Sequence, residues 1–185
     1  CGGINRGISI IQSNNKYHLW YTATNANDMG SNPFWKIWYA TSDDGITWTK
    51  QNNKLPVITT TNAFDLKNQS FPNVILENNK FLMWYGAGNY DHPSQYNFAE
   101  SDDGINWYKP PEINPVLTLQ PNTFYSGALA GNQTLDEGDN YHIYFSGHNG
   151  LVWSIGEAYV PKSDYAPYIT PAPTPLPTPE VTATP

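Results

Sequence analysis

Apolar and polar residues alternate in short runs along most of the chain, and no stretch keeps the three-to-four-residue spacing of a helix. The clearest runs, at about 73–76, 81–85, 96–100 and 106–108, predict four strands, which we name A to D. An Asn-Asn pair separates A from B, and Asp-Asp-Gly separates C from D. These residues tolerate the positive φ of tight hairpin turns, so the pattern predicts four consecutive antiparallel strands.

The same pattern occurs three times. Residues 14–21 (NNKYHLWY) return as 78–85 (NNKFLMWY), and the SDDGITW turn at 42–48 returns as SDDGINW at 101–107. A degraded third copy follows, with Ala40, Ala99 and Ala158 at equal spacings of 59 residues. Repeated four-stranded antiparallel units predict the blades of a β-propeller, with repeat units at about 1–63, 64–122 and 123–165.

Composition narrows the classes of function. The net charge is −7 and Arg6 is the single arginine, so a nucleic-acid-binding surface is not expected. No apolar run approaches the ~20 residues of a membrane-spanning helix. The lone Cys1 excludes a disulfide framework and a multi-cysteine zinc site. Abundant aromatic, asparagine and threonine residues with few charges are common in secreted proteins that bind sugars.

The two ends differ from the repeats. Residues 166–185 are rich in proline and threonine, which predicts an extended linker without a packed core. The chain starts at Cys1 without methionine, which we interpret as a truncation point, with a lipidated cysteine as the alternative. A secreted or cell-surface location in a bacterium is expected.

Four segments carry a family resemblance: 71–75 (FPNVI), 81–86 (FLMWYG), 98–107 (FAESDDGINW) and 114–117 (NPVL). They are similar to blades of the five-bladed propeller glycoside hydrolases, the family 43-like group of arabinanases, β-xylosidases, levansucrases and invertases. The resemblance covers about residues 7–161. It implies an all-β chain with about three of five blades, a carbohydrate ligand, and further blades or domains in the parent chain.

A second propeller family has a similar turn. Sialidases carry an Asp-box at the C–D position, but the SDDG turns here are one residue shorter between Asp and Gly. A sialidase would also need an arginine cluster for the substrate carboxylate, whereas this chain has only Arg6. We keep a sialidase-like propeller as the lesser alternative.

Blade topology sorts the polar residues between two faces. The B–C and D–A connections share one face, which is the sugar-binding face in the enzymes that the chain resembles. The Asp-Asp-Gly turns lie on the opposite face, where the aspartates are expected to cap their own turns. On the sugar-binding face we predict Asp65 and Asp91 as catalytic carboxylates. The predicted substrate-binding residues there are Arg6, Asp28, Trp35, Asn89, Tyr90, His92 and His148.

The chain departs from the enzyme pattern at strand A. The related glycosidases place a catalytic aspartate just before the strand A proline, whereas Ser70 and Phe71 precede Pro72 here. The matching stretches 6–8 and 126–129 also lack a carboxylate. Two hypotheses therefore stay open: a secreted glycosidase that uses paired carboxylates, or a non-catalytic glycan-binding or surface-display propeller. We predict no cofactor, and leave a structural ion in the central channel open.

Overall fold

The computed structural model describes residues 6–24, 34–90 and 92–167, which form three antiparallel sheets in chain order. The first sheet contains β1 (Ile8–Ser13), β2 (Lys16–Thr24), β3 (Trp35–Ser42) and β4 (Thr49–Lys50). The second contains β5 (Asn68–Glu77), β6 (Lys80–Gly88), β7 (Gln95–Ser101) and β8 (Leu117–Thr118). The third contains β9 (Ala128–Glu137), β10 (Asn140–His148) and β11 (Trp153–Pro161). We name these sheets blades 1, 2 and 3, and they confirm the all-β propeller prediction.

The A–B turns follow directly from the sequence. Asn14 and Asn15 have φ values of 52° and 58°, and Asn78 and Asn79 have 49° and 64°. Two consecutive positive φ angles produce the turn that matches the right-handed twist of a hairpin, and asparagine accepts them at low cost. The Asn-Asn pairs thereby fix the register of β1 on β2 and of β5 on β6.

The outer strand is shorter than predicted. We expected strand D around residues 106–108, but only a single bridge joins Tyr108 to Glu100, and the paired strand β8 comes later. Asn114 lies in between, and its amide group bonds both the N–H and the C=O of Phe98. This side chain occupies the place of a backbone partner, so the segment runs beside β7 without forming a continuous ladder.

Blade 3 has no fourth strand among the described residues. The chain leaves β11 and forms a four-residue helix, α1 (Lys162–Tyr165), which the sequence pattern did not predict. Its Tyr165 is buried. Residues 168–185 lie outside the described part, so the predicted linker at 166–185 stays a prediction.

The core lies between the blades. At the first junction, where blade 1 packs on blade 2, Trp20, Tyr39 and Phe81 form an aromatic cluster. At the second junction, where blade 2 packs on blade 3, the buried cluster consists of Leu82, Trp84, Phe98, Tyr141, Ile143 and Tyr165. Within the described ranges, no helix is long and apolar enough to span a membrane.

Among the residues that the structure describes, no further blade covers the outer surfaces of blades 1 and 3. Ile8 and Ile10 of β1 are exposed at one end of the array. At the other end, Ile155 and Tyr159 of β11 are 81% and 68% exposed. Large apolar side chains on a sheet face are ordinarily covered by a packing partner.

Candidate functional site

One end of the blades, which we name the loop face, carries the B–C and D–A connections. Two backbone hydrogen bonds define it: Thr22 N–H donates to Gly7, and Gly127 N–H donates to the C=O of His148. The Asn-Asn turns and Asp-Asp-Gly turns lie at the opposite end. There Lys16 pairs with Asp43 at 2.7 Å. The face assignment made from topology is therefore confirmed.

Two of the predicted substrate-binding residues meet around a tryptophan. His148 ends β10 and pairs across the strands with Trp153, which begins β11. Their ring centroids are 4.8 Å apart, and His92 from blade 2 packs its ring 5.5 Å from the same indole. Trp153 is nevertheless 47% exposed. We name His92, Trp153 and His148 the aromatic platform.

The orientation of His148 is fixed locally. Its Nδ1 atom faces the backbone N–H of Gly150 at 3.2 Å and accepts that hydrogen bond. In the neutral ring the proton therefore lies on Nε2, which makes Nε2 a hydrogen-bond donor. The platform thus offers an aromatic surface together with an imidazole N–H.

A cleft of about 420 Å³ lies beside the platform. Its lining residues are Asn89, Tyr90, His92, Pro93, Ser94, Leu119, Gly127 and Ala128. It is formed by the B–C loop of blade 2 and the start of strand A in blade 3. Leu129 N–H donates to the C=O of Pro93 at 2.9 Å and holds the two walls together. The ring of Tyr90, 80% exposed, stands at the edge.

Asn68 connects these residues to blade 1. Its Oδ1 accepts the Trp35 backbone N–H, and its Nδ2 donates to the Tyr90 C=O, both at 2.8 Å. The guanidinium carbon of Arg6 lies 4.3 Å from the centre of the Trp35 ring. Arg6, Trp35 and Tyr90 are therefore linked in one region of the loop face. Trp35, one of the predicted substrate-binding residues, begins β3 rather than lying in the B–C loop and is buried, and its role in binding stays a prediction.

Asp65, in the D–A connection of blade 1, contacts the first junction and not the cleft beside the platform. Its carboxylate is fully buried. One oxygen, Oδ2, accepts hydrogen bonds from Lys109 Nζ at 2.7 Å and from the backbone N–H groups of Thr61 and Asn62 at 2.8 Å. The other oxygen, Oδ1, accepts from Tyr85 Oη at 3.0 Å. Every one of these partners belongs to the first junction, not to the cleft beside the platform.

Electrostatics favour the charged form of Asp65. Burial raises the pKa of this carboxyl, but the hydrogen bonds from Lys109, Thr61 and Asn62 outweigh that effect and leave the pKa below its usual value. A carboxylate with all its partners in place stabilises the connection between blades 1 and 2. Its predicted catalytic role stays a prediction.

The other predicted acids fall outside the described residues. Asp28 lies in 25–33 and Asp91 is also outside the described part, so their roles stay predictions. At the start of strand A in blade 2, Ser70 is buried. Phe71 there has a φ of 52°, and its N–H donates to Thr22 Oγ1 at 3.0 Å. In the described residues no three of histidine, cysteine, aspartate and glutamate could together hold a metal ion.

The Asp-Asp-Gly turns have structural partners. Asp44 Oδ1 accepts the backbone N–H groups of Ile46 and Thr47, and Asp103 Oδ1 accepts the N–H groups of the equivalent residues in blade 2. These bonds lower the pKa of the Asp44 carboxyl. Turn capping accounts for both residues, in agreement with the sequence analysis.

Sequence reasoning missed two residues of the loop face. Trp153 was not selected, although its place at the start of the third strand C corresponds to that of Trp35 in blade 1. Asn68 was assigned to no site, since a single asparagine before a strand resembles any turn residue. The packing of His92 and His148 around the same indole also had no sequence signal, because the two histidines are 56 residues apart.

The family is shown by comparison of the sequence with family profiles. The profile of the glycosyl hydrolases family 32 N-terminal domain matches residues 4–149. The chain therefore belongs to this family of glycoside hydrolases, and its resemblance to the propeller glycosidases is confirmed. No curated protein matches its sequence significantly.

Solved structures show the same fold. A family 117 glycoside hydrolase of the marine bacterium Zobellia galactanivorans superposes with a TM-score of 0.68 at 19% identity, over 84% of this chain and 52% of that one. A β-1,2-mannobiose phosphorylase from Listeria innocua superposes with a TM-score of 0.63 at 13% identity, over 85% of this chain and 40% of that one. The family 32 β-fructofuranosidase of Bombyx mori superposes with a TM-score of 0.61 at 14% identity, over 85% of this chain and 34% of that one. The chain thus spans about half or less of the length of these structures.

Proposed function

We propose that the loop face binds the sugar substrate of a glycosidase and that the glycosidic bond is cleaved there by paired carboxylates. The observation that carries this proposal is the aromatic platform beside the cleft of about 420 Å³. Membership of a glycoside hydrolase family supports it. An extracellular location, where polysaccharides are met, is part of the same proposal.

The platform has the chemistry that a sugar ring requires. An exposed indole stacks against the apolar C–H face of a pyranose or furanose ring, and the neighbouring polar groups bind its hydroxyls. Trp153 supplies the ring, while His148 Nε2–H supplies a donor. Asn89, at the rim of the cleft, carries an amide that both donates and accepts.

Hydrolysis needs two carboxyl groups on either side of the scissile bond. One protonates the leaving oxygen, and the other attacks the anomeric carbon or activates a water, with separations of ~5 Å or ~6.5–9.5 Å. Asp91 is the candidate from this chain, because its neighbours in the sequence, Tyr90 and His92, both line the cleft. We propose that a further blade of the same polypeptide supplies the second carboxylate.

The exposed outer faces support the presence of further blades. At the first junction, Ser9 Oγ accepts the Val74 N–H at 2.9 Å, and at the second, Asn73 Oδ1 accepts the Thr134 N–H at 2.7 Å. Gln133 of β9 holds the next equivalent position, opposite Tyr144, and is exposed. We propose that strand A of a further blade forms a hydrogen bond with the Gln133 side chain in the complete protein.

Sugar release by the polypeptide that includes the further blades, measured by mass spectrometry, tests the glycosidase function. The substrates are arabinan, xylan, levan, mannan and sialylated glycans, and the variants are Asp91→Asn and Trp153→Ala. We expect release from one polymer, and we expect both variants to lower it by at least tenfold. Leu151→Ala is the control, because Leu151 is exposed in the same loop outside the platform. Release that survives both variants would exclude this site.

A glycan-binding module without catalysis is the second candidate. It is favoured by the starts of strand A, where Gly7, Ser70 and Gly127 stand without a carboxylate. The same panel distinguishes the two, because a binding module retains one polymer in affinity electrophoresis and releases no sugar from it. Retention should then depend on Trp153 and not on Asp91. Release from sialylated glycans alone would instead support the sialidase-like alternative.

A further inference from the structure

A second cleft, which we name the junction groove, lies between blades 1 and 2 and shares no lining residue with the cleft beside the aromatic platform. Its volume is about 550 Å³, within the ~300–1,000 Å³ of typical small-molecule sites. One wall is the outer segment of blade 1, and the other is the segment after the Asp-Asp-Gly turn of blade 2. The residues that matter for recognition are Asn52, Thr59, Thr61, Ile105, Trp107 and Tyr108.

The walls of the groove are held rigidly. Trp107 Nε1–H donates to the C=O of Gly104 at 3.0 Å, and Trp20 of blade 1 donates to the same oxygen at 3.1 Å. Asn52 Nδ2 donates to the C=O of Pro56 at 2.8 Å on the opposite wall. A preformed groove binds with a smaller loss of conformational entropy than one that must order on binding.

The groove is suited to a neutral ligand. Of the described residues that line it, Lys109 alone is charged, and its ammonium donates to Thr59 O, Thr61 Oγ1 and Asp65 Oδ2 at 2.7–2.8 Å. An ammonium group has three protons, so these three acceptors use all of them. None of these lining residues is a carboxylate. A charged ligand would therefore find no counter-charge there.

The remaining groups match a carbohydrate. Trp107 is half-buried and Tyr108 is 53% exposed, so the two rings offer aromatic surface to the groove. The facing wall carries the hydroxyl of Thr59 and the Oδ1 atom of Asn52, whose Nδ2 already donates to Leu55 and Pro56. Aromatic rings opposite amides and hydroxyls bind the apolar faces and the hydroxyl groups of a sugar at the same time.

We propose that the junction groove is a second saccharide-binding site, specific for uncharged oligosaccharides and separate from the aromatic platform. None of the residues that line the groove lines the cleft beside the platform, and the groove lies between blades 1 and 2 whereas that cleft lies between blades 2 and 3. The groove thereby holds one part of a polymer while another part reaches the platform.

NMR titration of the indole N–H signals tests the proposal. The probes are xylohexaose, arabinohexaose, mannohexaose and an inulin-type hexasaccharide, and Trp107→Phe and Trp153→Phe identify the two reporter signals. We expect one probe to shift the Trp107 signal in a saturable manner. Tyr108→Ala should weaken that response about tenfold and leave the Trp153 response unchanged.

Ile105→Ala and Ile46→Ala form a matched pair. The two isoleucines hold the same position in the repeat, but Ile105 lines the groove whereas Ile46 is exposed to solvent. We expect only Ile105→Ala to weaken the Trp107 response. A Trp107 signal that none of the four probes shifts, or a shift equal in wild type and Tyr108→Ala, would overturn the proposal. A response at Trp107 without one at Trp153 would support the groove and contradict the loop-face site.

Discussion

The two junctions between the blades are built from equivalent repeat positions, yet they are closed differently. At the first, the Trp20 indole donates to Gly104 O in the Asp-Asp-Gly turn of the next blade. Gly104 must be glycine there, because its φ is +76° and a Cβ would lie 2.9 Å from the Trp20 ring. At the second, the turn is absent from blade 3 and Tyr165 of α1 packs 5.9 Å from Trp84 instead.

The replacement preserves the packing but not the hydrogen bond. The Trp84 indole N–H is buried and has no hydrogen-bond partner of standard geometry among the described residues. Lys162 of α1 spans the junction through Asp136 at 2.5 Å and Glu77 at 3.6 Å. When the turn is replaced by a helix, the apolar packing of the junction is kept because it is non-directional. The hydrogen bond of the indole is lost because it needs an acceptor at a defined position.

The largest difference is expected between the ion pairs of the two junctions. Lys109→Met leaves the buried Asp65 carboxylate without its cation and should lower the free energy of unfolding by about 3–5 kcal/mol. Lys162→Met removes a partly exposed pair and should cost about 0–1 kcal/mol. Urea unfolding measures both. The double variant Lys109→Met/Asp65→Asn should recover part of the loss, and equal effects of the two single variants would contradict the comparison.

The role of α1 gives the next largest effect. Tyr165→Ala should lower the free energy of unfolding by about 2–4 kcal/mol, because Tyr165 is buried against Phe98 and Tyr141 as well as Trp84. Tyr165→Phe keeps the packing and should cost no more than about 1 kcal/mol. Thermal unfolding followed by circular dichroism provides the measurement. A neutral Tyr165→Ala would mean that α1 does not close the second junction.

Equivalent substitutions of Trp20 and Trp84 measure the contribution of the hydrogen bond from the Trp20 indole to Gly104 O. Trp20→Phe and Trp84→Phe remove similar volume from buried sites, but only the first also removes a donor to Gly104 O. Trp20→Phe should therefore destabilise the protein by about 1 kcal/mol more than Trp84→Phe. Chemical denaturation of both variants checks the difference. The opposite order would show that the Trp84 N–H is satisfied in solution.

The smallest effect is a pH dependence carried by the first junction. The folded-state pKa of Asp65 lies below its unfolded value, so the charged form stabilises the fold above about pH 4. This contribution is lost as the pH falls through the lowered folded-state pKa. The difference in Tm between wild type and Asp65→Asn should therefore be present at pH 6 and shrink towards pH 2. A constant difference over that range would exclude Asp65 as its source.

The elements that could be predicted from the sequence are those whose determinants lie close together along the chain. The Asn-Asn turns, the three blades and the capping role of Asp44 depend on residues close in sequence. The loop face was also predictable, because the connection order of antiparallel strands fixes which loops share an end. Strand D was predicted less well, since a side-chain amide at Asn114 could replace a backbone partner without any change in pattern.

The repeat, the family, the blade architecture and the face that carries His92 and His148 could all be derived from the amino-acid sequence. The packing of both histidines on Trp153, and the bonding of Asp65 to Lys109 instead of to the cleft, became visible only in the folded chain. The cause is the distance along the chain. Turn chemistry acts over a few residues, whereas Asp65 and Lys109 are 44 residues apart and meet only after the blades have packed.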